Sequence, residues 1–284
     1  MIRGGFRKSL SELIGEELAS LTPRSFDVVG NIAIIKLPES LLPHKQAVAK
    51  ALMSINRQIR TVLLQTSNVN GPFRLRKLGW IGGIRTWETV HKENGCVFKL
   101  DLRRVYFSPR LSYERMRVAR QVRPGEVIVN MFAGVGCFSI VISKNSRAEK
   151  VYSIDINPEA WRYAKSNVLL NRVKDKIKVL LGDADRIVPS VLKGIAHRVV
   201  MPLPMLSDKS IPAAVEALRP EGGIIHYYTH LSADRSEVLV HSAWIKVRSL
   251  IGDSVSLIDL KEGRRVRSIG PRQYQVVLDI QVRR

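Results

Sequence analysis

Residues 126–145, EVIVNMFAGVGCFSIVISKN, read as an apolar strand, a turn carrying Gly134 and Gly136, and a helix. Two further segments follow the same grammar. KVYSIDINPEAWRYAKSNVLLN (150–171) is a strand running into a helix, and IKVLLGDAD (177–185) is a strand that ends in acids. Alternation of apolar runs with 3.6-residue spacing predicts a parallel sheet with helices on both faces, an α/β architecture. Later strands are expected at 198–201, 223–228, 254–260 and 274–281, with helices at 211–218 and 232–250.

Upstream the pattern is of a different kind. Residues 9–21 place Leu10, Leu13, Ile14, Leu18 and Leu21 on one helical face, with Ser9 or Ser11 available as a cap. FDVVGNIAIIKL (26–37) reads as two β segments around Gly30-Asn31, 45–55 as a helix and TVLLQ (61–65) as a strand. WETVHKENGCVF (87–98) is two strands about a Glu93-Asn94-Gly95 turn, and 113–121 is helical. An α+β region over 1–110 is therefore expected ahead of the α/β region over 111–284.

The 284 residues hold 46 Lys and Arg against 25 Asp and Glu, a formal charge of +21. The excess is shared: 18 basic and 8 acidic residues lie in 1–110, 28 and 17 in the rest. Such a balance suits a polyanion, because Lys and Arg displace the counterions condensed on nucleic acid; a generally basic proteome is the plainer reading. Two cysteines, Cys96 and Cys137, build neither a disulfide framework nor a four-thiolate zinc site. No apolar run has the length of a signal peptide core or a membrane span, so a cytoplasmic protein is expected.

A glycine turn between strand and helix needs no ligand, and without a third glycine it fits a pyrophosphate loop poorly. Asp155, ending the next strand, can accept both hydroxyls of a ribose. Asp183, one strand later, is placed to accept an adenine amine. Helix capping is the competing reading of both acids. A dinucleotide oxidoreductase is the competing function, disfavoured by the missing GxGxxG. No His, Cys, Asp or Glu cluster has metal-ligand spacing, so no metal is expected.

The three strand ends resemble the class I S-adenosylmethionine (AdoMet) methyltransferases. GPFRLRKLGWIGG (71–83), ETVHKENGCVFKLDLRRVYFSPRLSYERMR (88–117), NMFAGVGCFSI (130–140), LLGDAD (180–185), GGIIHYYTH (222–230) and GPRQYQVVLDIQV (270–282) together resemble the archaeal and eukaryotic tRNA (guanine-37)-N1-methyltransferases, relatives of the wybutosine-pathway transferases. The resemblance implies a Rossmann-like methyltransferase domain with a smaller N-terminal α+β domain, AdoMet as cofactor, the anticodon loop of tRNA as partner, guanine 37 as target and a monomer. Phe132, Gly134, Gly136, Asp155 and Asp183 would then hold AdoMet. Glu114 matches the family's general base, and Arg74 its O6-contacting arginine. Tyr106 matches the residue against the target base, and Arg110 one between the cofactor and substrate pockets.

Guanine N1 carries a proton that must leave before its lone pair can attack, so the reaction calls for a base and a cation beside O6. Glu114 is therefore expected in a buried or apolar-flanked place, with Arg74 and the cofactor residues around the same hollow. An exposed i,i+3 pair with Arg117 is the competing reading of Glu114. A phosphate contact is that of Arg74, and a core position in a VYF strand that of Tyr106. His226 and Tyr227 either line the pocket or, for the histidine, bond to backbone. The chain departs from the family wording at Asn130 (usually Asp), Cys137 (usually Pro) and Pro202 (usually Asn), the last at a position expected to help hold the base or order a loop. The family's N-terminal elbow-binding domain is expected to be absent. Action on the wyosine precursor at the same position, and an RNA-binding paralogue without turnover, are the alternative functions.

Overall fold

The computed structural model describes residues 2–23, 25–233, 238–252 and 255–283, and side chains from residue 5 onward. It divides into two compact units, Met1–Ser112 and Tyr113–Arg284.

In the first unit, α1 (Ile2–Ile14) and α2 (Glu16–Ser20) stand where one helix over 9–21 was expected. Gly15, at φ 84°, breaks the run, a conformation glycine adopts at little cost. Phe6 and Leu10 reach the core while Leu13 and Leu21 are exposed, and Ser9 and Ser11 lie inside α1 instead of capping it. There follow β1 (Asp27–Val29), β2 (Ile32–Ile35), α3 (Lys45–Ile55), β3 (Thr61–Gln65), β4 (Leu78–Gly83), β5 (Glu88–Glu93) and β6 (Cys96–Asp101). One sheet has the order β1-β2-β3-β4; β5 and β6 form a separate hairpin. The reading of the sequence missed β4, whose glycines mask a strand signal. A Cβ on Gly82 would lie 2.6 Å from that of Ala49, so the glycine is what lets α3 close on the sheet. Tyr106 sits in the irregular stretch after β6 and not in a strand.

The second unit contains α4 (Ser112–Gln121), β7 (Val127–Asn130), α5 (Cys137–Asn145), β8 (Lys150–Asp155), α6 (Pro158–Leu170), β9 (Ile177–Leu181), α7 (Ala184–Ile187), β10 (Arg198–Met201), α8 (Pro204–Ser207), α9 (Ile211–Ala217), β11 (Gly223–Ser232), α10 (Leu239–Ile251), β12 (Leu257–Gly270) and β13 (Gln273–Arg283). The sheet order is β12-β13-β11-β10-β7-β8-β9. The five strands from β11 to β9 are parallel, as expected of a strand–helix alternation. The last two are not: β13 inserts antiparallel between β11 and β12. A two-residue link joins β12 to β13, and so short a link permits only an antiparallel pair. Of the helix expected over 232–250, residues 234–237 lie outside the described residues, and Ser232 ends β11.

Burial explains the apolar runs. Val199, Val200, Met201, Ile225, Tyr227, Leu278 and Ile280 are at most 0% exposed. Burying such a side chain contributes about 1.5–3 kcal/mol before its entropy cost. Every residue of α5 from Cys137 to Ser143 is buried, which is why that helix shows no polar face. Strand order reverses between β8 and β10 around β7, and the carboxyl ends of strands at such a switch point form the crevice where open α/β sheets bind ligands. No helix among the described residues is long and apolar enough to cross a membrane.

Candidate active site

The switch point carries the glycine turn. Met131 N–H donates to the Val200 carbonyl and Ala133 N–H to that of Ile154, tying the turn to strands on both sides. Gly134 and Gly136 have φ of 55° and 88°. Buried Asn167, on α6, donates to the Val135 carbonyl at 3.0 Å and holds the turn from behind. Phe132 is half-buried against the core.

Asp155, at the end of β8, accepts from Gly134 N–H at 2.6 Å and from Asn157 N–H at 2.9 Å. Burial raises its pKa, and the two backbone donors oppose the rise. Asp183 follows Gly182 and caps α7 by accepting from Asp185 N–H at 3.0 Å. Asp183 thus has the role that capping assigns it, whereas the cap of α6 is Asn157, which accepts from Glu159 N–H, and Asp155 ties the glycine turn to the end of β8. Each carboxylate oxygen has a second lone pair, so neither is spent by these bonds. Beside them, Ile156 and Leu181 are 48% and 47% exposed at the ends of β8 and β9, apolar surface left open where the acids stand.

The three departures have local explanations. Buried Asn130 donates its amide to Ser139 Oγ at 3.0 Å, and Ser139 donates in turn to Ser153. Cys137 opens α5, a position proline favours but does not monopolise. Pro202 is half-buried between β10 and α8, and the carbonyls on either side of it, those of Met201 and Leu203, both accept from Ser207 Oγ at 3.1 and 2.9 Å. The loop is thereby ordered without a side-chain amide.

Glu114, in the first turn of α4, is 2% exposed. Its Oε2 accepts from Arg117 Nε at 3.0 Å and from Tyr228 Oη at 2.9 Å, and Arg264 Nη1 lies 3.0 Å from Oε1. The i,i+3 pair with Arg117 exists, then, but it is buried, and charge and hydroxyl surround the carboxylate where apolar flanks were one expectation. Arg117 sends two prongs to Asp279, at 2.5 and 3.1 Å. Asp279 also accepts from His226 Nδ1 at 2.6 Å, and Arg198 Nη1 lies 2.9 Å from His226 Nε2. An arginine only donates, so His226 is neutral with its proton on Nδ1. Burial lowers the His226 pKa, in agreement. Burial alone would raise the Asp279 carboxyl; His226 and the Arg117 fork outweigh it and hold the group well below the usual carboxylate range. His226 therefore bonds to side chains, where backbone was expected. Tyr227 is buried too, its hydroxyl on Asp208.

This network adjoins the glycine turn. The Tyr228 ring meets Phe138, at the start of α5, edge-on at 6.0 Å, and the Arg115 guanidinium lies 6.0 Å from the same phenyl ring. Tyr227 is level with Met201, the last residue of β10, so Tyr228 stands just past it on the carboxyl edge.

The first unit holds the other candidates. Arg74 lies in the β3–β4 connection at φ 54°, a conformation that costs a non-glycine residue about 1–3 kcal/mol and that Asn94, Arg172 and Arg272 share. Its guanidinium sits 5.3 Å from the centre of the half-buried Tyr106 ring, so these two are brought together. Arg110 donates to Asp27 Oδ1 at 2.7 Å, and Arg76 pairs with the other oxygen at 3.6 Å. Asp27, Tyr228, Asp279 and Arg264 escaped the sequence reading. An acid and a tyrosine inside apolar strands were the available signal for Asp279 and Tyr228. Among the described residues no group of His, Cys, Asp or Glu is arranged to hold a metal.

The TRM5/TYW2 methyltransferase domain matches residues 89–251, and the TYW2 N-terminal domain matches 6–86. The chain is 37% identical to the tRNA (guanine(37)-N(1))-methyltransferase Trm5b of Pyrococcus abyssi over 95% of its own length and 78% of that protein. It is 37% identical to the tRNA 4-demethylwyosine(37)-methyltransferase Taw21 of Saccharolobus solfataricus over 90% and 93%. The structure of an aTrm5–tRNALeu complex superposes with a TM-score of 0.84 at 34% identity, covering 98% of this chain and 78% of that one. TYW2 of P. horikoshii in complex with MeSAdo gives 0.80 at 26%, covering 99% and 98%. With a matching domain over more than half its length and a relative 37% identical over 95% of it, the chain belongs to the TRM5/TYW2 methyltransferase family.

Proposed function

We propose that the protein transfers a methyl group from AdoMet to N1 of guanine 37 in tRNA. The observation that carries this reading is the buried Glu114 carboxylate on the carboxyl edge of the sheet, linked through Tyr228 and Phe138 to the helix that follows the glycine turn. The crevice fits the cofactor: Asp155 and Asp183 keep free lone pairs for ribose and adenine, and the open side chains of Ile156 and Leu181 suit the faces of a base. Phe132, Gly134 and Gly136 would border its methionine part. AdoMet supplies a methyl group already activated on a sulfonium, so direct transfer needs no metal.

Glu114 accepts the N1 proton as the nitrogen lone pair turns to the methyl carbon, Tyr228 and Arg117 holding the carboxylate in place. Arg74 stabilises the negative charge that develops on O6, and Tyr106 stacks on the extruded base. Arg110 contacts the RNA or the cofactor, and Pro202 lines the loop after β10. The charge of +21 supports a tRNA partner.

Methylation of 4-demethylwyosine at the same position is the second reading. It is favoured by the alignment with Taw21, which spans 93% of that protein, and by Pro202 in place of the usual Asn. One assay separates the two: methyl transfer from labelled AdoMet to tRNA bearing guanine 37, adenine 37 or 4-demethylwyosine 37. Transfer to guanine but not adenine is expected. Transfer only to the tricyclic base selects the second reading, and transfer to none leaves an RNA-binding protein without turnover.

A further inference from the structure

The two oxygens of Glu114 are treated unequally. Oε2 has both lone pairs engaged, by Arg117 Nε and Tyr228 Oη. Oε1 is fully buried and accepts no hydrogen bond; Arg264 Nη1 lies over it at 3.0 Å as an ion pair without bonding alignment. Permanent pairs in the same unit look different. Arg117 grips Asp279 with two nitrogens, and Arg198 grips Glu126 with two, at 2.8 and 3.1 Å. Arginine and carboxylate match as a fork, and the fork is what a finished pair shows.

Arg264 also has somewhere else to go. Its side chain is 31% exposed, and its guanidinium rests 4.7 Å from the ring centre of Tyr113, itself 63% exposed. It stands on β12, the edge strand, between register shifts at Leu260/Glu262 and Arg265/Arg267, irregularities that aim side chains out of the ladder. Next to it, Gly263 lies so close to α10 that a Cβ there would meet Val240 at 2.4 Å, which pins the strand at the residue before Arg264. Lys261 and Arg265 on the same strand are exposed, so the arginine moves along a surface already suited to a polyanion.

We propose that Arg264 is a placeholder on Oε1 of Glu114: it pairs with that oxygen in the free protein and passes to an RNA phosphate when the target nucleotide takes the oxygen over. The inference rests on the reading of Glu114 as the proton acceptor and names Oε1 as the accepting atom. Arg264 is in this sense a positioning residue. It keeps a buried anion paired until substrate arrives, and its release links RNA binding to exposure of the base.

A double-mutant cycle on RNA affinity tests this. Dissociation constants for a guanine-37 tRNA transcript are measured across a salt series for the full chain and for E114Q, R264M and E114Q/R264M. Removing the charged competitor for Arg264 favours its transfer to phosphate. E114Q is therefore expected to bind RNA more tightly, relative to its parent, when Arg264 is present than in the R264M background, by at least about threefold. R264M is expected to lower the salt slope by about one. The exposed neighbour supplies the control: R265M lowers the slope likewise but leaves the effect of E114Q unchanged. Equal effects of E114Q in both backgrounds, or a difference of opposite sign, overturn the proposal. R264Q carries the same arm if R264M melts early. The base assignment fails separately, if E114Q transfers methyl at the parental rate, since the binding cycle reads no chemistry.

Discussion

The two units place their candidate side chains in opposite environments. Around Arg74 the chain is a loop with a strained backbone, the arginine rests on a half-buried ring, and the neighbouring Arg110–Asp27 pair is 46% and 18% exposed. Around Glu114 the carboxylate sits in a chain of buried polar groups that runs through Arg117, Asp279, His226 and Arg198 to Glu126. A loop arginine adapts to an anion that arrives. A buried acid must be held ready, because no water is there to solvate it if its partners stray. The difference teaches which parts tolerate change: on the proposed function, RNA contacts would fall in the adaptable region and proton transfer in the rigid one.

The contrast can be broken most directly at the base. Glu114→Gln keeps the shape and an acceptor for Tyr228 but cannot take a proton, and it is expected to slow single-turnover transfer by about 10²–10⁴-fold with AdoMet affinity nearly unchanged. Parental rates would remove Glu114 from the chemistry. Next in size is Asp279→Ala, which strands the Arg117 and His226 partners in the interior; a loss of about 3–5 kcal/mol in guanidinium unfolding is expected. If unfolding shifted by no more than a surface substitution does, the network would not be the rigid element described.

A smaller effect lies in the pH dependence of stability. His226 is neutral when folded and its pKa is lowered by burial, so the unfolded chain takes up a proton near pH 6.5 that the folded one refuses. Its contribution is complete above that pH and is lost as pH falls, by up to about 1.4 kcal/mol per unit. His226→Gln is expected to flatten the fall between pH 6.5 and 5 in denaturant titrations; an unchanged slope would mean the ring already titrates when folded. His197, held down by burial and Arg219, is a background common to both proteins. Smallest of all is Arg110→Ala, for which a stability change under about 1 kcal/mol is expected in the same titrations, since its ion pair faces solvent. A larger loss would show that the first unit, too, depends on a fixed charge.

Legibility follows the same divide. The β7-turn-α5 segment, the acids at the ends of β8 and β9, and the hairpins around Gly30 and Gly95 could be read directly, because strand period, helix period and glycine turns are written within some twenty residues. Where the reading of the chain failed, one cause was local: Gly15, with nothing packed against it, splits a helix whose apolar spacing looked continuous. The others were contacts with something distant: β4 hides behind glycines that admit α3, and His226 finds side chains where backbone was expected.

Taken alone, the amino-acid order determined that an α/β unit with a glycine turn and two strand-end acids follows an α+β unit, and it placed Glu114 on a helix. Only the tertiary structure decided what surrounds Glu114. Tyr228 is 114 residues away, and Asp279 reaches Arg117 because β13 slots antiparallel beside β11 with Asp279 opposite His226. Partners so far apart in the chain are chosen by sheet register, and a register is a property of two strands together that neither strand's sequence states.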